Sequence, residues 1–403
     1  MHVLFVHRNF PAQFGHVARH LIHQRGWRCT FVSETPAGDV DGIRKIHYKP
    51  QGGATKATHY CSRTFENGVW HAAGVYESVR ALRDELAPDL IVGHSGFGST
   101  LFLPELWPGV PVINYFEYFY RPHGSDLDFR PEWPAPPESF LRSRARNAMI
   151  LLDLEYCTAG YSPTRWQHSL LPAAYAHKTR VLHDGIDTAI WHRRPDVVRG
   201  VGSTVLPPAT RLVTYVSRGF ESMRGFDIFM RTAKRIYTAY PDVRFIVVGS
   251  DRVCYGGDLA HIKEKTFREH VLNQDDYDLD KFIFPGRLPP HELAALLSAS
   301  DLHIYLTVPF VLSWSMLNAM ACGAVVLGSR TAPVEEFITE GRTGRLADFC
   351  DVDGLAAAAL DVLRDPAAYR PLGDAAAELI RQHYSVDVLL PELVRFYEFI
   401  ARP

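Results

Sequence analysis

Two spacings of apolar residues alternate along this chain. Unbroken, mostly β-branched runs at 3–6, 29–33, 90–93 and 110–115 read as buried strands, while 15–25 and 76–86 carry the apolar spacing of helices. The rhythm restarts after Pro207-Pro208, with strands predicted at 212–217, 243–249, 282–284, 302–306 and 325–327. Helices are predicted there at 226–240, 291–300 and 315–322. Strand, helix, strand in this order predicts parallel, doubly wound sheets. The expected fold class is α/β: two Rossmann-like parallel-sheet domains, 1–193 and 194–384, facing a central cleft where such sheets bind ligands. A last helix near 391–401, in the segment 385–403, is expected to cross back to the first domain.

Composition narrows the class of protein. The 403 residues exceed one ordinary core and suit two domains. A hydrophobic share of 47% and a charged share of 22% are globular, and a net charge of −2 gives no reason to expect nucleic acid as a partner. The six cysteines are scattered without a Cys-x-x-Cys pair, which fits a reducing compartment and speaks against a zinc or disulfide framework. The opening apolar run 1–7 breaks at Arg8 and reads as a first strand, not a signal peptide. No apolar stretch approaches the roughly 20 residues that span a bilayer. The expected location is the cytoplasm.

Candidate chemistry concentrates in two stretches. Val216-Ser217-Arg218-Gly219-Phe220-Glu221-Ser222-Met223-Arg224-Gly225 ends a strand and starts a helix. Two cations beside a helix N-terminus suit a diphosphate; the plainer reading is a pair of solvated arginines. In the second stretch, 309–323, Ser313 is placed to cap a helix. The amides of Ser313, Trp314 and Ser315 are then candidate donors to phosphate or sugar oxygens. In the first half, Glu117 follows the strand ending at Tyr115. It is a candidate for a sugar hydroxyl or an oxocarbenium-like transition state, or else for an ion pair with Arg121. His94 ends a strand before the turn Ser95-Gly96-Phe97-Gly98 and is a candidate contact to donor or acceptor.

Together these segments resemble the family-four retaining glycosyltransferases (glycosyl transferases group 1) of the GT-B fold, over nearly the whole chain. Phe10-Pro11-Ala12-Gln13-Phe14-Gly15 is similar to that family's N-terminal donor loop. Leu182-His183-Asp184-Gly185-Ile186-Asp187 resembles its interdomain "NGVD", with Asp184 in place of Asn. Pro241-Asp242 through Val248-Gly249, Phe284-Pro285-Gly286 and Glu340-Gly341-Arg342-Thr343-Gly344 resemble three further motifs, in the family's order. The departures fall at the site. The family's Arg and Lys fall on Arg218 and Arg224, and its paired glutamates on Phe310 and Asn318. The resemblance makes the first glutamate a contact to the transferred sugar and the second a ribose ligand. A charge-assisted bond of roughly 1.5–3 kcal/mol would become at Asn318 a neutral one of about 1 kcal/mol.

The resemblance implies transfer of a sugar from a nucleotide-diphosphate donor, with retention and without a metal, to a glycan, lipid-linked or small-molecule acceptor. The donor is a substrate and no cofactor is expected. Arg218, Arg224 and the amides of 313–315 would stabilise the leaving diphosphate, backbone near Arg287 and Leu288 would hold the base, and Asn318 the ribose. Phe14 and Gly15 would close over the phosphates. Two other readings remain: a nucleotide-sugar epimerase or phosphorylase of the same architecture, and a nucleotide-sugar-binding protein with reduced catalysis, motivated by Phe310 and Asn318. The Asp-x-Asp pairs at 39/41, 126/128, 278/280 and 351/353 read as solvated loop acids. Arg142, Arg144 and Arg146 beside Phe140 and Leu141 read first as a soluble helix, second as a weak peripheral contact with anionic lipid.

Overall fold

The computed structural model describes residues 1–35 and 38–402. The chain divides into two compact units: Met1–Gly124, Pro136–Gly185 and Val386–Pro403 form one, and Ser125–Ala135 with Ile186–Ser385 the other.

The first unit is built on seven strands: β1 His2–Val6, β2 Arg28–Ser33, β3 Ile43–His47, β4 Leu90–His94, β5 Val112–Tyr115, β6 Ala159–Ser162 and β7 Thr179–Val181. Their order is β3-β2-β1-β4-β5-β6-β7, with every neighbouring pair parallel. β1 and β4 are buried along their whole length, which is why, apart from the terminal His2 and His94, they are apolar instead of alternating. The helices Gly15–Arg25 and Val386–Ala401 cover one face, burying Phe14, Val17, Leu21, Val394, Phe396 and Tyr397. The other face carries Val75, Val79, Ile150 and Leu154 from the helices Arg63–Arg80 and Pro137–Tyr156. Each such side chain contributes about 1.5–3 kcal/mol by burial. The final helix starts before the expected 391 and takes Pro391 into its first turns. It belongs to the first unit, where the Tyr397 and Tyr161 hydroxyls meet at 3.1 Å.

The helix expected at 76–86 is displaced: it runs Arg63–Arg80, and Arg83–Leu86 is a separate turn. Its buried face is Gly68, His71, Ala72, Gly74, Val75 and Val79, and the glycines that weaken its sequence signal serve packing. A Cβ on Gly98, at φ +77°, would lie 2.0 Å from the Gly68 carbonyl oxygen, so turn and helix touch backbone to backbone.

The second unit opens with an antiparallel hairpin, β8 Gly200–Val201 and β9 Thr204–Val205. Its parallel sheet holds β10 Arg211–Gly219, β11 Val243–Ser250, β12 Phe282–Gly286, β13 Leu302–Tyr305, β14 Val326–Ser329 and β15 Arg345–Ala347. The order is β12-β11-β10-β13-β14-β15. The sequence boundary at 193 differs from the structural one for physical reasons. Arg193 binds Asp374 and the Gly323 carbonyl, and Arg194 the His291 carbonyl, which ties 186–194 to this unit. The segment 125–135 is anchored there too. Arg130, 4% exposed, donates to Asp227 Oδ2 at 2.7 Å and to the Ser222 carbonyl at 2.9 Å, with its guanidinium over the Phe349 ring.

Candidate functional site

At the carboxyl end of β10 the chain turns through Ser222–Arg224 into the helix Phe226–Ala239. Gly225 makes that turn at φ +64°, and a Cβ there would sit 2.8 Å from Leu306 Cβ. The turn sends the two expected cations to different places. Arg218 is exposed, with Nη1 donating to the Tyr255 hydroxyl at 3.4 Å. Arg224 is 5% exposed: Nη1 donates to Thr307 Oγ1 at 2.7 Å and Nη2 to the Val311 carbonyl at 2.9 Å. Arg224 thus ties the 307–311 loop to the turn, where the sequence had suggested a second cation offered to a ligand.

Glu221 has no exposure, and its Oε2 accepts the N–H groups of Cys254, Tyr255 and Gly256 at 2.8, 2.7 and 3.2 Å. A buried carboxylate with three amide donors fixes a loop backbone strongly. The loop presents Tyr255 against Phe310, ring centroids 5.5 Å apart, with the Arg224 guanidinium 5.3 Å from the Tyr255 ring and 5.8 Å from that of Phe310.

The helix Trp314–Ala321 follows, capped by Ser313 as expected. Ser313 Oγ accepts from the Ser315 amide at 3.3 Å, and the Ser313 amide donates to the Tyr305 hydroxyl at 2.8 Å. Two of the three amides expected to serve a ligand therefore have protein acceptors. That of Trp314 has none among the described residues, and its indole is exposed. Asn318 is half-buried one turn along. Arg287 and Leu288 follow β12, the first exposed and the second half-buried.

In the first unit, Phe14 is wholly buried, its ring against Phe5, Phe31 and His7. Its side chain is core and is not available to a ligand. Gly15 starts a helix with Pro11 Cγ 3.0 Å from where its Cβ would be. His94 is buried at the end of β4, stacked on Phe97, with Nε2 3.7 Å from Glu117 Oε2. Glu117 keeps 44% of its side chain exposed, so the pair presents a carboxylate outward. His7, after β1, meets the His94 ring edge-on at 5.0 Å, and burial with the nearby His94 holds its imidazole down to about 3, hence neutral. Burial pushes the Asp184 carboxyl up to about 7, opposed by the Tyr115 hydroxyl donating to it at 2.9 Å. Burial likewise raises Asp153 to about 6, although the Gly96 amide and Ser95 hydroxyl both donate to it.

In the second unit the structure thus gathers Arg218, Arg224, Ser313, Trp314 and Ser315 around the ends of β10 and β13, and in the first it pairs His94 with Glu117. Sequence reasoning missed Glu221, Tyr255 and the Arg130–Asp227 pair. Only Glu221 lay inside a stretch it had singled out.

Two parallel sheets with polar groups gathered at strand ends define a doubly wound α/β protein, and comparison specifies its family. Residues 25–191 match the model described as glycosyl transferase family 4 group, and 203–379 that of glycosyl transferases group 1. The sucrose-phosphate synthase structure from Thermosynechococcus elongatus superposes with a TM-score of 0.76 at 17% identity, over 99% of this chain and 98% of that one. Anabaena HepE, solved with UDP and glucose, gives 0.70 at 15%, over 99% and 100%. The fold is GT-B. The N-acetyl-alpha-D-glucosaminyl L-malate synthase of Bacillus anthracis is 23% identical over 55% of this chain and 54% of its own. The phosphatidyl-myo-inositol mannosyltransferase of Mycolicibacterium smegmatis is 24% identical over 59% and 55%. The chain spans little more than half the length of these curated relatives in the aligned regions. It belongs to the group 1 glycosyltransferases of family 4. Among the described residues no helix is long and apolar enough to cross a membrane.

Proposed function

We propose that this chain transfers a sugar from a nucleotide-diphosphate sugar to an acceptor hydroxyl, with retention at the anomeric carbon and without a divalent metal. The observation that carries the reading is the exposed Arg218 at the end of β10, beside Tyr255. A fixed cation next to a capped helix start stabilises charge as it builds on a departing diphosphate. In the step, the bond from anomeric carbon to phosphate oxygen breaks and the acceptor oxygen bonds to that carbon on the same face. The acceptor's proton passes to the leaving phosphate oxygen. The Trp314 amide would add a donor to the phosphates, backbone at Arg287 and Leu288 would hold the base, and Asn318 the ribose. On the first unit, the Glu117 carboxylate backed by His94 would accept from acceptor hydroxyls. HepE's complex with UDP-glucose and the relatives' names favour a nucleotide-sugar donor and a sugar, lipid or small-molecule acceptor.

A second reading, a nucleotide-sugar-binding protein with little turnover, is favoured by Phe310 and Asn318, where the family has carboxylates. Melting curves with UDP, GDP, ADP and their sugars, followed by product analysis, separate the two. A ligand specific to the native state raises the melting temperature. No shift with any of them would refute both readings, and a shift without sugar release would favour the second.

A further inference from the structure

Tyr255 is an aromatic residue that no mechanism above requires, yet the second unit holds it in place by several independent contacts. Its amide is one of three bound by the buried Glu221 carboxylate. Gly219 is seated so closely beneath the loop that a Cβ there would lie 2.3 Å from the Arg252 carbonyl oxygen and 2.7 Å from Cys254 Sγ. Behind the ring stand Phe310 and the buried Arg224 guanidinium. Despite this support the tyrosine is 44% exposed, with the exposed Arg218 at its hydroxyl. A ring held by this many contacts, open to water and beside an exposed cation, is available to a ligand without rearrangement.

From this geometry we infer that Tyr255, backed by Phe310, is the platform on which the transferred sugar of the donor lies, and that it selects a neutral pyranose by its C–H face. The inference rests on the donor reading above and deepens it. With Arg218 at the rim on the diphosphate, a sugar follows on either side: the ribose with its base, given above to Asn318 and the 287–288 backbone, and the transferred sugar, which is left for the ring beside that cation. A pyranose offers axial C–H groups on one face and hydroxyls around its edge. The C–H face suits an aromatic plane, and the edge is left for hydrogen bonds elsewhere. Neither Tyr255 nor Phe310 brings a carboxylate to that sugar. Recognition at this point is by shape and desolvation, where the family resemblance would lead one to expect a charged acceptor.

Calorimetry of the full chain against UDP with UDP-glucose, GDP with GDP-mannose, and ADP with ADP-glucose tests this on wild type, Tyr255→Phe, Tyr255→Leu and Tyr255→Ala. For the pair that wild type binds, Tyr255→Ala is expected to weaken the sugar nucleotide about tenfold more than the bare diphosphate, the worth of one desolvated apolar face. Tyr255→Phe should keep the wild-type ratio, and Tyr255→Leu should fall between. Equal losses for diphosphate and sugar nucleotide would assign the ring to the nucleoside or to Arg218 alone and overturn the inference. So would an unchanged ratio in Tyr255→Ala. Binding of none of the three pairs by wild type would instead overturn the donor reading, and this inference with it. The partly exposed ring makes all three variants foldable, which their melting temperatures check.

Discussion

Replacing Arg130 by Met tests whether the excursion 125–135 is part of the second unit's folded core. In the wild type the guanidinium is nearly fully buried, bonded to both Asp227 oxygens at 3.3 and 2.7 Å and to the Ser222 carbonyl, and lies 5.0 Å from the Phe349 ring centroid. Removing one partner of a buried pair costs about 3–5 kcal/mol, because the other charge stays behind without its counter-ion. Here Arg231 stands 3.5 Å from the same Asp227 oxygen and is half exposed, so it offsets part of that cost. The expected loss is therefore near the lower end, about 3 kcal/mol. For a unit of roughly 200 residues, each kcal/mol moves the melting temperature by about 2–4 °C, so the transition should fall by about 6–12 °C. Scanning calorimetry reads it, with the second unit's transition identified by its shift on adding the best nucleotide. The double variant Arg130→Met/Asp227→Leu should recover most of the loss, since an apolar pair of similar volume replaces a buried ion pair at little cost. A fall of less than about 2 °C in the single variant would mean that the pair does not hold the segment. A double variant no better than the single would mean that the loss came from packing on Phe349.

Other outcomes follow from the same structure. Arg218→Ala should lower nucleoside-diphosphate affinity about ten- to a hundredfold by calorimetry with an unchanged melting temperature, as one charge-assisted contact is worth roughly 1.5–3 kcal/mol. Transfer should survive EDTA; loss restored by Mn²⁺ would revive a metal site at one of the Asp-x-Asp pairs. Because the folded pKa of Asp184 is raised, its contribution to stability is complete below the carboxylate's ordinary range and is lost as pH rises through about 7. Asp184→Asn should therefore raise the melting temperature more at pH 8 than at pH 5, and equal shifts would remove Asp184 as the source. Asn318→Glu should tighten the donor by about 1 kcal/mol, near fivefold, if Asn318 is a weakened ribose ligand; weaker binding at an unchanged melting temperature would remove it from that role.

The central parallel strands were legible because burial on both faces leaves few polar positions to break an apolar run. The central strands β1, β4, β10 and β11 come within a residue or two of their expected bounds. Of the edge strands, β12 was legible as a short aromatic run, while β3 and β15 were not. β3 reads Ile43-Arg44-Lys45-Ile46-His47 and β15 is Arg345-Leu346-Ala347, sequences whose polarity is that of a half-solvated rim. The helix Arg63–Arg80 was hidden by Gly68 and Gly74, residues of low helical propensity kept for close packing.

The site divides along a different line. What sequence pattern conveyed was position along the chain: Arg218 at a strand end, Ser313 as a helix cap and His94 before a glycine turn all depend on their immediate neighbours. What it could not convey was which of two similar side chains faces water. Arg218 and Arg224 lie six residues apart in one loop, and their difference is decided by Thr307 and Val311, more than eighty residues away. Tyr255 and Glu221 depend in the same way on a loop that reads as ordinary polar chain. A buried carboxylate that organises a backbone leaves no local signature, because its partners are amides, which every residue but proline possesses. Glu221 has three such partners, from Cys254, Tyr255 and Gly256. The buried second arginine and the aromatic ring beside the first are therefore long-range features. They were foreshadowed in the sequence only by what is missing at Phe310.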